Sequence, residues 1–299
     1  MENQLYHDTV LENDKLSDST KKIYITNLNR LTDIVSNNLE WIIKHPNLVY
    51  NILKHKYNNP NTINMFIKPF YTIINSDKVK SDINVTEYQR WMRILKYSKR
   101  KTKIKQLNNI DDDIITYKEL LSKLNESIES IDHTSMLILG LYTLIPPIRG
   151  EYCKMKIINN VFDIDKNNGN NYIFIGDSYN SSFISISKYK TSKSFGIKKI
   201  NIPEQLYNII INCVPKINNY LFQDSNNCPL DIKSFSNLVA TKMCKLFNKH
   251  ITINTFRHAY ITEHAKLSES PETRIKISEQ MCHSVETQVK YIKLSVNDK

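Results

Sequence analysis

Arginine is scarce in this chain, so its few positions are informative. The 299 residues include 41 Lys and Arg together, and only seven of them are Arg, at positions 30, 90, 93, 100, 149, 257 and 274. The bias towards Lys, Asn and Ile is typical of an AT-rich genome. An arginine that persists against this bias indicates a need for its planar guanidinium group, which can donate hydrogen bonds to two oxygens of one phosphate group.

Four segments carry side chains suited to phosphate chemistry. In chain order they are PPIRGEYCKMKI (146–157), KYKTSK (188–193), INTFRHAYITEHA (253–265) and MCHSVETQVKYIK (281–293). The first and third each contain an arginine, the second is rich in lysine, and the fourth has a histidine followed by a tyrosine. Each motif alone is common, and the order of the four is the informative feature.

This ordered set resembles the catalytic domain of tyrosine recombinases, the phage-integrase family. The resemblance covers roughly 113–299 and includes a predicted β-hairpin between the two arginine segments. It implies five catalytic residues, which are Arg149, Lys190, Arg257, His283 and Tyr291. Lys190 is preferred because it precedes Thr191 at the predicted strand end, and Lys193 is the alternative. The helical N-terminal part is similar to the core-binding domain of that family.

The chemistry implied by the resemblance is strand cleavage without a metal or ATP. The Tyr291 oxygen attacks a DNA phosphodiester and forms a 3′-phosphotyrosine bond, which conserves the energy needed for rejoining. Arg149 and Arg257 stabilise the extra negative charge at phosphorus. Lys190 protonates the leaving 5′ oxygen, and His283 hydrogen-bonds a phosphate oxygen or assists proton transfer from the tyrosine.

The sequence departs from the family pattern in several places. Asn254 lies three positions before the second arginine, where His or Lys is usual, and an amide cannot shuttle a proton at neutral pH. Glu151 follows the first arginine by two positions instead of three, and Cys282 replaces the common Gly before the histidine. The interval from this histidine to the tyrosine is one residue shorter than is typical. Asn254 and the shortened interval keep open the alternative of a DNA-binding protein that has lost catalysis.

The elements that position these residues are mostly helical. Residues 1–15 are polar and predicted to be loose. Apolar residues then recur at helical spacing within 24–35, 63–74 and 88–95, after a capping SDST at 17–20, which predicts a helical domain over 1–100.

A basic run, KYSKRKTKIK (96–105), follows this domain. It predicts a basic linker over 101–112 and a domain boundary, with a catalytic domain over 113–299. The run is either a solvated charge cluster or a nucleic-acid contact surface. Its candidate DNA-binding residues are Lys96, Lys99, Arg100, Lys101 and Lys103.

The second half of the chain begins with predicted helices, and the spacing of its apolar residues then changes from helical to alternating. Leu120, Leu121, Leu124 and Ile128 form one helical face, and 136–145 reads as a buried helix that ends at Pro146-Pro147. Strands are predicted at 171–175, 182–190 and 196–203, with a turn at 191–196, and helices return after Pro203. The predicted fold class is mainly α with a small β-hairpin or sheet.

Composition excludes several classes of protein. Forty per cent hydrophobic and 24% charged residues exclude wholesale disorder. No apolar run approaches the ~18 residues of a membrane span, and the acidic start does not resemble a signal peptide, so we expect an intracellular protein, in host cytoplasm or nucleus if it is viral. The five cysteines form no CxxC pair, and the eight histidines lack metal-ligand spacing, so no metal site is expected. We also expect no cofactor and no small-molecule substrate.

The net charge of +11 and pI of about 9.2 indicate a polyanionic partner. Double-stranded DNA is the first choice, and an anionic membrane surface is a distant alternative. The resemblance implies a homotetramer on two DNA sites and a viral or mobile-element integrase or recombinase. The nearest alternative is a type IB topoisomerase-like enzyme or a junction resolvase, and the helical N-terminal half argues against the topoisomerase.

Overall fold

The chain divides into two compact units, residues 1–109 and 110–299. The computed structural model describes residues 3–108, 115–126, 131–165, 169–215, 219–265, 269–289 and 291. Each unit has its own hydrophobic core. None of the helices in these described ranges is long and apolar enough to span a membrane.

The first unit is built from helices. Their bounds are α1 Gln4–Leu11, α2 Asp18–Val35, α3 Leu39–Lys44, α4 Pro46–Lys56, α5 Pro60–Ile74, α6 Asp77–Lys80 and α7 Val85–Asn108. Trp91 of α7 is fully buried at the centre of this unit. Its ring stacks on Phe70 of α5 at a centroid distance of 4.3 Å, and its Nε1 donates a hydrogen bond to the Ile43 carbonyl oxygen at 2.8 Å.

The N-terminal segment is helical, so the prediction that residues 1–15 are loose was wrong. Tyr6 and Val10 lie one turn apart on α1, and both are buried in the core of the first unit. The Asn3 side chain accepts a hydrogen bond from the Leu39 backbone N–H at 2.9 Å and so ties this segment to α3. Leu5 and Leu11 of the same helix are exposed, so its apolar residues do not form a single helical face that the sequence could show.

The basic run belongs to α7, a helix of 24 residues. The predicted linker 101–112 overlaps it, because residues 101–108 continue the helix and 109–112 lie outside the described residues. Lys and Arg are good helix formers, so a charged segment extends a helix readily. Trp91, Ile94 and Ser98 on one side of α7 are buried, and the charged side chains emerge on the other sides.

The second unit combines helices with a small sheet. Its elements are α8 Tyr117–Glu126, α9 His133–Thr143, β1 Lys156–Ile158, β2 Tyr172–Phe174, β3 Phe183–Ile186, α10 Ser192–Phe195, β4 Lys198–Asn201, α11 Glu204–Cys213, α12 Ile232–Phe247, α13 Ile253–His264, α14 Pro271–Gln280 and α15 Val285–Val289. Helix α9 is buried from Ser135 to Thr143 and packs against α8, α11, α12 and α13. It is the predicted buried helix, and Pro146-Pro147 follow its end. Ile128, predicted on the face of α8, lies outside the described residues.

The four strands form one sheet in the order β1-β2-β3-β4. Strands β1 and β2 are parallel and the other pairs are antiparallel, with Ile184 opposite Ile173 on one side and Ile200 on the other. The sequence did not predict β1, because three residues are too short to show alternation. The predicted turn at 191–196 contains the short helix α10. The fold is mainly α with a small sheet, as predicted.

Candidate active site

The two arginine segments are held together by contacts across the core of the second unit. Arg257 on α13 donates a hydrogen bond from Nη1 to the carbonyl oxygen of Pro147. Tyr142 on α9 donates from its hydroxyl to the Arg149 carbonyl oxygen at 2.6 Å, and its ring stacks on Phe256 with centroids 5.1 Å apart. These contacts fix the turn after α9 against the helix that carries the second arginine.

Arg257 is a buried cation with unused donors. Its side chain is fully buried, and its Nε and Nη2 atoms have no partner of normal hydrogen-bond geometry. Burial lowers the pKa of Arg257, but a guanidinium group still stays protonated in proteins. Buried polar groups are normally satisfied, so these two donors, close to the Tyr291 oxygen, indicate a place for an anion with two acceptor oxygens.

Tyr291 lies directly beside this cation. The Arg257 guanidinium carbon is 5.1 Å from the centroid of the Tyr291 ring, and the ring packs against the small apolar cluster that α13 and α14 form. Burial raises the pKa of the Tyr291 hydroxyl, but the positive charges of Arg257 and Arg149 outweigh this effect, and the pKa is lowered below its ordinary value. The Tyr291 hydroxyl is therefore more acidic than that of an ordinary tyrosine.

His283 completes the cluster as a neutral imidazole. The side chain is 2% exposed, and its ring stacks on that of Tyr291 with centroids 5.8 Å apart. Burial, together with the charges of Arg257 and Arg149, lowers its pKa to about 4. Its Nδ1 lies 3.1 Å from the Ser284 carbonyl oxygen, so Nδ1 carries the proton and Nε2 is an acceptor. Nε2 is buried without a partner.

His258 on α13 also contacts the tyrosine segment. Its Nδ1 donates to the Tyr291 carbonyl oxygen at 2.7 Å, and the two rings lie 4.8 Å apart. The same helix, α13, therefore carries the buried Arg257 and a histidine that holds the Tyr291 backbone. The contact joins residues 33 positions apart, and no local spacing indicates it.

Glu151 lies in the short 3₁₀ turn Glu151–Lys154 after Arg149. Its Oε2 is buried without a partner, and burial raises its pKa even though Arg149 and Arg257 oppose the shift. The structure therefore places this predicted accessory residue in the cluster, two positions after the first arginine. Asn254, the other predicted accessory position, is exposed on the first turn of α13.

The predicted lysines lie on exposed parts of the chain. Lys190 and Lys193 are exposed in the segment between β3 and β4. Their neighbour Thr191 donates a hydrogen bond from Oγ1 to the Cys282 carbonyl oxygen at 2.9 Å, one residue before His283. The predicted DNA-binding side chains are all exposed on α7 of the first unit; they are Lys96, Lys99, Arg100, Lys101 and Lys103.

The cluster combines a half-buried tyrosine of lowered pKa with arginines and a neutral histidine. These side chains can bind a tetrahedral oxyanion and place it next to a nucleophilic oxygen. No group of three or more His, Cys, Asp or Glu side chains within the described residues is arranged to hold a metal ion.

Solved structures of integrases share this fold. The integrase of transposon Tn1549, in complex with transposon right end DNA, matches over 99% of this chain and 95% of its own, with 18% identity and a TM-score of 0.59. A lambda integrase dimer bound to a COC′ core site matches over 96% of this chain and 93% of its own, with 13% identity and a TM-score of 0.62. No family model and no curated protein matches the chain. The chain has the fold of tyrosine recombinases and integrases.

Proposed function

We propose that this chain is a tyrosine recombinase that breaks and rejoins DNA strands through a 3′-phosphotyrosine bond at Tyr291. The observation that carries the proposal is the buried Arg257 guanidinium, whose Nε and Nη2 lack partners beside the Tyr291 ring. A scissile phosphate supplies the two oxygens that would satisfy these donors. The shared fold with integrases supports the same reaction class.

The arginines act on the charge that develops at phosphorus. When the Tyr291 oxygen attacks, the five-coordinate phosphorus carries more negative charge than the ground state. Guanidinium donors of Arg149 and Arg257 bind its non-bridging oxygens. Because Arg257 is fully buried, its effect exceeds that of an exposed charge. Glu151 lies buried within electrostatic range of both arginines.

Two proton transfers accompany the cleavage step. The Tyr291 hydroxyl proton passes to Nε2 of His283, which is neutral near pH 7 and has a free acceptor position. Asn254 cannot take this proton, since an amide has no basic nitrogen. The bond from phosphorus to the 5′ oxygen breaks, and Lys190 gives its proton to that oxygen.

The proposed partner is double-stranded DNA. The net charge of +11 and the exposed cations of α7 attract its phosphates, and the structures of similar fold were solved with DNA. We further propose that the protein acts as a homotetramer in integration or recombination for a virus or mobile element.

Covalent trapping tests the proposal. Full-length protein is incubated with bulged duplexes and four-way DNA junctions, and SDS-resistant protein–DNA complexes are resolved on a gel. We expect a complex that is lost in Tyr291→Phe and retained in Tyr71→Phe, a control at an exposed tyrosine of α5. Tight DNA binding without any complex would contradict the proposal and favour the inactive DNA-binding alternative that Asn254 suggests.

A supercoiled plasmid separates recombination from topoisomerase activity. A type IB topoisomerase relaxes the plasmid as a monomer at substoichiometric protein. We expect no such turnover here. The helical first unit supports this expectation, because a β-rich N-terminal domain is expected in the topoisomerase.

A further inference from the structure

The segment between β3 and β4, residues 187–197, is attached to the segment that carries His283. We call residues 187–197 the lysine loop. Thr191 in this loop donates from Oγ1 to the carbonyl oxygen of Cys282 at 2.9 Å, across 91 positions of sequence. Thr191 follows Lys190 in the loop, and Cys282 precedes His283 in the other segment. The hydrogen bond therefore links the backbone beside Lys190 to the backbone beside His283, and the proposed reaction requires both of these side chains at the same phosphate.

The acceptor carbonyl is held rigidly by the end of α14. Cys282 has a φ of +57°, its N–H donates to the Glu279 carbonyl oxygen at 3.0 Å, and the His283 N–H donates to the Ser278 carbonyl oxygen at 3.0 Å. This pair of bonds with a left-handed residue between them is the Schellman motif, in which Gly is usual. The motif fixes the direction of the Cys282 carbonyl and of His283 together.

Tyr189 forms a hydrogen bond within the lysine loop, close to Thr191. Its hydroxyl donates to the Gly196 carbonyl oxygen at 2.7 Å and so closes the loop from within. Burial, with the neighbouring Cys282 thiol, raises the pKa of Tyr189 to about 12. Tyr189 and Thr191 therefore both lie close to Cys282, and Lys190 is the residue between them in the sequence.

Packing does not fix the side chains of the two candidate lysines in this loop. Lys190 and Lys193 are exposed, and a lysine side chain carries about 2 kcal/mol of rotamer entropy. A general acid is effective only when its proton lies within hydrogen-bond reach of the leaving atom. The backbone of the lysine loop must therefore be placed by another group.

We propose that Thr191 is a positioning residue, and that its hydrogen bond to the Cys282 carbonyl sets the lysine loop so that Lys190 reaches the leaving 5′ oxygen. This inference rests on the proposed function. In the step concerned, the Tyr291 oxygen forms a bond to phosphorus, the bond from phosphorus to the 5′ oxygen breaks, and that oxygen takes a proton from the Lys190 ammonium. Loss of the Thr191 hydroxyl weakens this proton transfer and leaves the attack itself intact.

A sulfur substitution in the DNA separates this role from a structural one. The cleavage position is first mapped on a four-way junction with the unmodified protein, and the junction is then made with a bridging 5′ sulfur at that position. A thiolate leaves without being protonated, so a defect in general-acid catalysis disappears on the sulfur substrate. Cleavage is measured as the single-turnover rate of covalent complex formation.

The variants are Thr191→Val, which keeps the shape and removes the donor, and Thr191→Ser, which restores a donor. We expect Thr191→Val to cleave the oxygen substrate about 10- to 100-fold more slowly and the sulfur substrate at nearly the unmodified rate. Thr191→Ser should recover most of the rate on oxygen, and Lys190→Ala should show the same sulfur rescue. Thr26→Val, the same change at an exposed position of α2, is the control.

Three results would overturn the inference. An equal slowing of Thr191→Val on both substrates would assign Thr191 a structural role only. An unchanged rate on the oxygen substrate would show that the hydrogen bond has no part in cleavage, and normal cleavage by Lys190→Ala would remove the acid that Thr191 is proposed to place. If the unmodified protein forms no covalent complex, the proposed function itself fails, which is a distinct result because no variant is then needed to see it.

Discussion

Arg257 is the residue whose surroundings most constrain the chemistry, because its charge is fully buried while two of its donors lack partners. We expect Arg257→Lys to lower the rate of covalent complex formation by about 100-fold or more, since removing one preorganised donor to a developing oxyanion costs that much. Lysine keeps the positive charge, but its ammonium group cannot bind two oxygens in the planar, bidentate way that a guanidinium group does. The measurement is single-turnover cleavage, with the exposed Arg30→Lys on α2 as the matched control. A rate within threefold of the unmodified protein would contradict the assignment.

The depressed pKa of His283 predicts a pH dependence of stability. Below its ordinary value of 6.5, the unfolded chain takes up a proton that the folded chain refuses until about pH 4. Protonation in this window therefore favours the unfolded state, so the His283 contribution to stability falls as pH decreases from 6.5 to 4.

Urea unfolding of the protein and of His283→Gln from pH 8 to pH 4 measures this contribution. We expect the free energy of unfolding of the unmodified protein to fall relative to the variant only below about pH 6.5. The exposed His55→Gln is the control. A constant difference between protein and His283→Gln over the whole range would show that the folded state protonates this imidazole normally.

Residue types in the sequence predicted the arginines, the histidine and the tyrosine that the structure brings together. The scarcity of Arg was the useful signal for Arg149 and Arg257. The contacts of His258 with Tyr291 and of Thr191 with Cys282 were not predictable, because their partners lie 33 and 91 positions away. Only the packing of α13, α14 and the lysine loop makes these residues neighbours.

At the scale of elements, α7 carries a basic stripe that a list of single lysines does not show. Arg93, Lys96, Arg100 and Lys103 are spaced by three, four and three residues, so they share the helix face opposite Trp91, and all four are exposed. Lys99 and Lys101 lie at the sides of this face. The stripe is about 15 Å long at 1.5 Å per residue, a length that suits several consecutive phosphates.

Neutralising the stripe should weaken DNA binding and reduce its salt dependence. We expect the triple change Lys96→Gln, Arg100→Gln and Lys103→Gln to reduce the slope of log affinity against log salt by about 3, since each phosphate contact contributes about 0.9. Binding to a duplex at several salt concentrations measures the slope. The matched control changes three exposed lysines elsewhere in the first unit, Lys15, Lys54 and Lys56, to Gln. An equal effect of both triples would show that only net charge matters.

The long helices and the hairpin strands were predictable because several apolar residues repeat along each. Helix α1 was missed because its apolar residues do not share one face, and strand β1 was missed because three residues are too few to show alternation. The basic run was interpreted as a linker from its charge alone. Its helical state follows from Trp91 and Ile94, which anchor the same helix to the core, and from the good helix propensity of Lys and Arg.

For the whole molecule, the position of Tyr291 predicts which subunit supplies the nucleophile. The ring lies 5.1 Å from the Arg257 guanidinium of its own chain, and its carbonyl is bound by His258 of the same chain. We therefore expect cleavage in cis. A mixture of Tyr291→Phe and Arg257→Ala proteins should form no covalent complex on a four-way junction.

The control for this experiment mixes Arg257→Ala with a size-tagged unmodified protein, which should yield a complex of the tagged size alone. Restored cleavage in the mixture of the two inactive variants would show that the tyrosine is donated to a neighbouring subunit, and would contradict a cis arrangement.

The division into residues 1–109 and 110–299 places all the residues of the candidate active site in the second unit and the basic stripe in the first. Composition alone indicated a polyanionic partner through the net charge of +11. A DNA target sequence for the proposed reaction is not predictable from composition or fold, because it would depend on base contacts that form only in a complex.

The proposed reaction is tested by identifying the atom that joins protein to DNA. The covalent complex formed on a four-way junction is digested with protease and nuclease, and the linked peptide is analysed by mass spectrometry, while the released strand is examined for its new end. We predict a nucleotide attached through its 3′ phosphate to Tyr291 and a 5′ hydroxyl on the released strand. A link to another residue, or a 5′ phosphate on the released strand, would contradict the proposed reaction.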